Sequence, residues 1–171
     1  MIKIAINAGH TKTGAGTGAN GYINESEETR KIVRALIPLL KNKGFEVVDA
    51  TIDTAASQSE YLKKAVRVAN NSKADLFVSV HLNAGKGRGS EVLTWKGKKV
   101  KQAVNICKKL EEKGFKNRGI KDGSGLYVIK KTNMTAILVE VCFVDNLLDI
   151  ALYKKVGVAG IAKAIADGIA A

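Results

Sequence analysis

The chain has 171 residues, 46% of them hydrophobic, a single proline and a formal net charge of +12. With no repeat, low-complexity tract or Pro/Ser-rich linker, it is expected to form one domain, residues 1–171, with a substantial core. Two cysteines are too few for a disulfide framework, no run approaches the ~20 apolar residues that span a bilayer, and the lysine-interrupted start MIKIAINAGH lacks the build of a signal peptide. A soluble chain made in the cytoplasm, with no membrane span, is therefore expected.

In chain order, residues 2–8 form a short β-branched run that reads as a strand ending just before His10. Asn24, with Glu27 three residues on, caps a predicted helix over 25–43, which Gly44 ends and Pro38 should kink. A strand is predicted over 45–50. Ser57 and Glu60 repeat the capping pattern for a helix whose apolar face is Leu62, Ala65, Val66 and Ala69. The apolar run 74–81 reads as a strand ending at His81. Shorter strands are predicted over 90–95 and 126–130, flanking an amphipathic helix over 98–114. Residues 135–143, TAILVEVCF, read as a buried strand, and two helices close the chain. This alternation points to an α/β fold, a twisted and mostly parallel sheet with helices on both faces.

The charge is uneven. Residues 96–131 hold 12 basic and 3 acidic side chains, whereas 1–95 hold 13 and 9, and 132–171 hold 3 and 4. A basic surface of this kind suits a polyanion, whether nucleic acid, an anionic membrane or an anionic cell-wall polymer, and it equally describes the solvated face of a lysine-rich helix. Nucleic acid is not expected as a partner, because Trp95 and Tyr127 stand isolated among the lysines and make no stacking platform.

The two histidines, His10 and His81, fall where apolar strands end, the usual place for ligand sites in open α/β sheets. Together with Glu25 they make the two-His, one-Glu set of hydrolytic zinc sites, which leaves a fourth position for water. Gly16, Gly18 and Gly21 match the glycine spacing of dinucleotide-binding loops, with Asp49 ending the second strand. His10 and five more residues precede Gly16, however, and Tyr22 to Asn24 separate Gly21 from the helix, so the phosphate would not meet the helix N-terminus. The glycines instead let a loop lie beside the metal. Glu140 stands between Val139 and Val141 in the most apolar strand, where an ionised carboxylate is costly unless paired, hydrogen-bonded or metal-bound. A buried ion pair with lysine or arginine is one explanation. A carboxylate that moves protons beside a metal is the other.

The runs NAGH (7–10), GYINES (21–26), ADLFVSVHLNA (74–84), GSEVLTW (89–95) and AILVEVCFVDN (136–146), with Arg67, Ala69 and Asn70 before the third strand, resemble in order the signature blocks of zinc-dependent N-acetylmuramoyl-L-alanine amidases. This group serves as the catalytic domain of bacterial cell-wall hydrolases and phage endolysins. The resemblance implies one zinc ion held by His10, Glu25 and His81, with Glu140 as the catalytic carboxylate. It also implies peptidoglycan as substrate, cut at the amide joining N-acetylmuramic acid to L-alanine; without a signal peptide, action on the cell wall after release is expected, holin-dependent if the protein is a phage endolysin. A carboxylate beside such a metal would take a proton from water and deliver it to the leaving nitrogen.

The chain departs from the family pattern at Asn7 and Ala8, where Asp-Pro is common, so a carboxylate contact to His10 would become an amide contact. It departs again at Cys142, where glycine is usual. Two residues from Glu140 on a strand, Cys142 should share its face, either as a packed core thiol or as a soft residue near the metal. A cysteine-nucleophile hydrolase would leave Glu25 and Glu140 unexplained. Asn83, just past His81, the loop 86–89 and Asn133 are candidates for substrate contact, although turn chemistry alone explains such residues equally well. A zinc peptidase cutting within the stem peptide, and a noncatalytic wall-binding module, are the alternative functions.

Overall fold

The computed structural model describes residues 1–171. Its core is a six-stranded sheet in the order β3-β1-β5-β8-β6-β7, made of β1 (Lys3–Ala8), β3 (Glu46–Asp49), β5 (Leu76–Asn83), β8 (Thr135–Phe143), β6 (Ser90–Thr94) and β7 (Asn117–Asp122). All neighbours run parallel except β6, which is antiparallel to β8. A separate two-residue ladder joins β2 (Thr13–Gly14) to β4 (Thr54–Ala55).

Three helices, α1 (Glu25–Asn42), α3 (Lys101–Glu111) and α5 (Leu147–Ala170), cover one face over a large apolar core that includes Ile4, Leu36, Ile106 and Ile165. The opposite face carries only α2 (Gln58–Asn71) and α4 (Tyr127–Lys131), over a smaller core around Phe77 and Leu138. The thinner cover on that side leaves room for a cleft at the C-terminal ends of β1, β5 and β8. No helix is long and apolar enough to cross a membrane.

The predicted caps form: Asn24 Oδ1 accepts the Glu27 amide at 3.0 Å, and Ser57 Oγ accepts that of Glu60 at 3.1 Å. The helix α1 continues through Pro38. On α2 the buried positions are Tyr61, Ala65, Val66 and Ala69, with Leu62 only half-buried at the cleft edge. The two expected C-terminal helices form as α5, broken at Gly157, whose φ of 71° is left-handed.

Two expectations are corrected. Residues 126–130 were expected as a strand but form the short helix α4, packing Val128 and Ile129 into the smaller core. The turn before it sets this outcome: Asp122 Oδ1 accepts the Ser124 amide at 2.8 Å, Leu126 N–H donates to Gly123 O at 2.9 Å, and Lys130 N–H then closes back on Leu126 O at 2.9 Å. The strand position beside β6 is filled instead by β7, NRGIKD, which has no apolar alternation because it is the half-exposed edge of the sheet.

The second correction concerns Cys142. The β5/β8 register runs His81 to Glu140 and then Asn83 to Phe143, so one extra residue bulges from β8 after Glu140. Strict alternation fails there, and both Val141 and Cys142 enter the larger core. Cys142 is a fully buried thiol whose pKa burial pushes far up, as suits a packing residue rather than a nucleophile.

Candidate metal centre

Each of the three candidate donors is placed by a different element. His10 follows β1 and sits at a left-handed φ of 66°, a strained backbone for a non-glycine residue. The strain is held from two sides. The buried Arg30 donates from Nη2 to His10 O at 3.1 Å, and Tyr61 Oη accepts the His10 amide at 2.8 Å. Glu25 is the first residue of α1, so its carboxylate lies at a helix N-terminus while being 3% exposed. His81 lies near the end of β5, its ring packed so closely against Gly9 that a Cβ there would come within 2.3 Å of it.

One donor atom from each of His10, Glu25 and His81 can be chosen so that all three lie within 4.8 Å of one another. Glu25 Oε2 is 3.2 Å from His10 Nε2, and Glu25 Oε1 is 3.0 Å from His81 Nδ1. Ligands bound tetrahedrally at ~2.0–2.1 Å stand ~3.3 Å apart, so this set fits a metal of zinc's size and preference. The surroundings reinforce the fit. His10 Nδ1 lies 3.1 Å from Gly16 O; a carbonyl only accepts, so Nδ1 carries the proton and Nε2 presents its lone pair. Glu25 also accepts the amides of Ala19 at 2.8 Å and Leu82 at 3.1 Å. Burial pushes the Glu25 carboxyl up, but the imidazoles of His10 and His81 against it outweigh burial and hold the group well below the usual carboxylate range. Burial likewise lowers the His81 pKa and favours the neutral, metal-binding imidazole.

The glycine loop does lie beside this group. Gly18, at φ 81°, passes so close that a Cβ would come within 2.7 Å of both Glu25 Oε2 and the His10 ring. Asn7 does not reach the His10 ring as an amide partner. It is fully buried, bonding Tyr61 Oη at 3.1 Å and Ser79 Oγ at 2.6 Å, and so supports His10 through the tyrosine.

Glu140 is the register partner of His81 and lines the same 450 Å³ cleft as His10, Tyr61 and His81. No lysine or arginine pairs with it, and its buried Oε2 has no hydrogen-bond partner. Burial, followed by the charges of Glu25 and Glu91, pushes its pKa up to about 8. An unpartnered carboxyl titrating near neutrality in a cleft is equipped to take up and release protons.

Asn83, two residues past His81 on β5, is not among the residues that line this cleft and donates to Glu91 Oε1 at 3.0 Å. Asn133 does not line it either. It precedes β8, at the end of that strand remote from Glu140, and its amide donates to Asn70 Oδ1 at 2.8 Å, which makes it turn chemistry. The loop 86–89 is tied down from the side of α5: Asp145 Oδ2 accepts the Lys86 amide and Asp149 Oδ2 that of Gly89. The sequence reading missed Arg30, Tyr61 and Glu91, whose contacts lie 20, 51 and 27 residues away.

Residues 4–171 match the family described as N-acetylmuramoyl-L-alanine amidase. The chain belongs to this family. An uncharacterized 38.4 kDa protein of Clostridium perfringens is 38% identical over 98% of the chain, and an endolysin of Bacillus phage SPP1 is 35% identical over 96% of it. The chain covers 51% of the first relative and 64% of the second, so it spans about half to two thirds of their length. Among solved structures, the catalytic domain of the CD27L endolysin targeting Clostridia difficile superposes with a TM-score of 0.91 at 34% identity, covering 99% of this chain and 97% of that one. The six-stranded mostly parallel sheet and its five helices are thus the architecture of this family's catalytic domains.

Proposed function

We propose that the protein is a zinc-dependent hydrolase of peptidoglycan that cuts the amide between N-acetylmuramic acid and L-alanine, with residues 1–171 as its catalytic domain. The observation that carries this reading is the close set of His10, Glu25 and His81 with the unpaired Glu140 in the same cleft. Family membership supports the choice of bond. When bound, zinc would supply a Lewis acid that polarises the amide carbonyl and lowers the pKa of water from ~15.7 toward ~7.

The residues of the chain do the rest. His10, through Nε2, Glu25 and His81 would hold the metal. Arg30, Tyr61 and the Gly16 carbonyl keep His10 aimed. Glu140 takes the proton of the attacking water on its carboxylate and delivers it to the departing nitrogen, without which the amine is a poor leaving group. The half-buried Leu62 and buried Leu138 exclude water from one wall of the cleft. An enzyme acting on the wall after release is the setting that the phage endolysin relative supports. The basic segment 96–131 would hold it near anionic wall polymers.

Digestion of purified Gram-positive peptidoglycan, with mass spectrometry of the new ends, tests this reading. Free stem peptides beginning with L-alanine, lost with a chelator and restored by zinc, are expected. Cleavage between residues of the stem would make the protein an endopeptidase, and no cleavage by zinc-loaded protein would overturn the hydrolytic reading.

A further inference from the structure

Beside Glu140 lies a second charged group with no part in the metal site. Glu91, at the start of β6, is the register partner of Glu140 across the antiparallel ladder, so the two side chains rise on the same face of the sheet. Glu91 is only 8% exposed, and both of its oxygens are engaged: Oε1 with Asn83 Nδ2 at 3.0 Å and Oε2 with Arg118 Nε at 2.7 Å. Neutralising Glu91 uses only one of the arginine's five donors. The Arg118 guanidinium makes no other hydrogen bond within the chain, its side chain is 33% exposed, and it lies over the Phe143 ring at 5.1 Å. Anchored at Nε and backed by an aromatic ring, it presents the rest of its planar fork to solvent.

We propose that Arg118 is a specificity residue that binds a carboxylate on the peptide side of the substrate, close to the alanine released by cleavage. This inference rests on the hydrolytic reading. Glu140 hands its proton to the leaving nitrogen, so the peptide departs on the Glu140 side, away from His10 and His81 on β1 and β5. In the sheet order β5-β8-β6-β7, what lies beyond Glu140 in that direction is Glu91 on β6 and then Arg118 on β7. Strands stand ~4.8 Å apart, which puts β7 ~10 Å from β8, and the head of Arg118 leans back over β6 to reach Glu91. An extended peptide advances ~3.3–3.6 Å per residue, so the head meets the second or third residue of the stem. A guanidinium fork matches a planar carboxylate in two parallel hydrogen bonds, whereas a carboxamide offers one acceptor and a repelling pair of donors. Because Glu91 already balances one charge, the pair suits a singly charged carboxylate better than a phosphate.

Binding is measured in the zinc-loaded Glu140→Gln protein by calorimetry, with two synthetic muramoyl-L-alanyl dipeptides that differ in whether the second residue carries a free α-carboxylate or the carboxamide. The free acid should bind roughly tenfold more tightly, the scale of a charge-assisted bidentate contact. Adding Arg118→Gln should abolish that preference while leaving carboxamide binding within about twofold, as expected for loss of one contact. The paired Glu91→Gln/Arg118→Gln change, which leaves no buried charge unpaired, should do the same. Equal weakening of both ligands by both changes, or no preference in the parent, would overturn the assignment. Turnover by the unmodified protein separates the two readings: cleavage of both ligands at equal kcat/KM removes the role of Arg118 alone, while no cleavage of any muramoyl peptide removes the hydrolytic reading and this inference with it.

Discussion

At Glu140, burial and two neighbouring carboxylates raise the pKa from 4.5 to about 8, which makes the stability of the fold depend on pH in a definite direction. The unfolded chain ionises this group first as pH rises, so the metal-free folded state loses stability from the ordinary value of 4.5 up to about 8 and then levels off. Every tenfold difference in proton affinity between the folded and unfolded chain corresponds to ~1.4 kcal/mol. Glu140→Gln removes the penalty. In chelator, thermal melts of this variant should match the parent near pH 4 and exceed it near pH 8.5. The same variant should keep its zinc and lose ~10²–10⁴-fold in turnover, the usual worth of a general acid-base group; a zinc-replete, active variant would exclude the role. Gly18→Ala probes the other side of the site. At φ 81°, with a Cβ 2.7 Å from Glu25 Oε2 and from the His10 ring, alanine must displace a donor, and zinc affinity measured by competition with a chromophoric chelator should fall ~10–100-fold.

Among the elements, the join between β8 and α5 decides how the loop before β6 is held. Asp149, 2% exposed in the first turn of α5, accepts the amides of Gly89 at 2.8 Å and Phe143 at 2.9 Å with one oxygen, pinning the loop before β6 to the end of β8. Asp149→Ala would leave two buried amides without partners and should cost about 2–5 kcal/mol in urea unfolding. Ser57→Ala, which removes only the exposed cap of α2, should cost about 1 kcal/mol. The bulge in β8 belongs to the same scale. By turning Cys142 into the larger core just after Glu140, it keeps the thiol away from the cleft, so thiol-directed reagents should leave turnover of the native protein unchanged.

At the scale of the molecule, charge and metal set the expected behaviour. Residues 96–131 carry 12 of the 28 basic side chains, on the segment before α3, on α3, β7 and α4, and on the segments between them. If this surface docks on anionic wall polymers, turnover of intact walls should fall several-fold as salt rises well past ~0.15 M, where the Debye length is ~8 Å, while turnover of a small muramoyl peptide changes little. An unchanged rate on walls would remove electrostatic docking. Chelation should lower the melting temperature, because a ligand that binds only the folded state stabilises it.

The sequence alone determined the alternation of strands and helices, both caps, and the residue types at His10, Glu25, His81 and Glu140. These features are legible because apolar periodicity, capping and a charge placed in an apolar strand are local signals. Only the tertiary structure decided which segment became the sheet edge, how the bulge turned Cys142 inward, and which side chains meet at the cleft. The Val128–Ile129 pair could serve a strand or a helix over so short a run, and the preceding turn made the choice. Arg118 and Glu91 are 27 residues apart, and Asn7 and Ser79 are 72 apart. Their meeting depends on strand order and register, which arise from the packing of the whole sheet, and no local pattern in the chain encodes them.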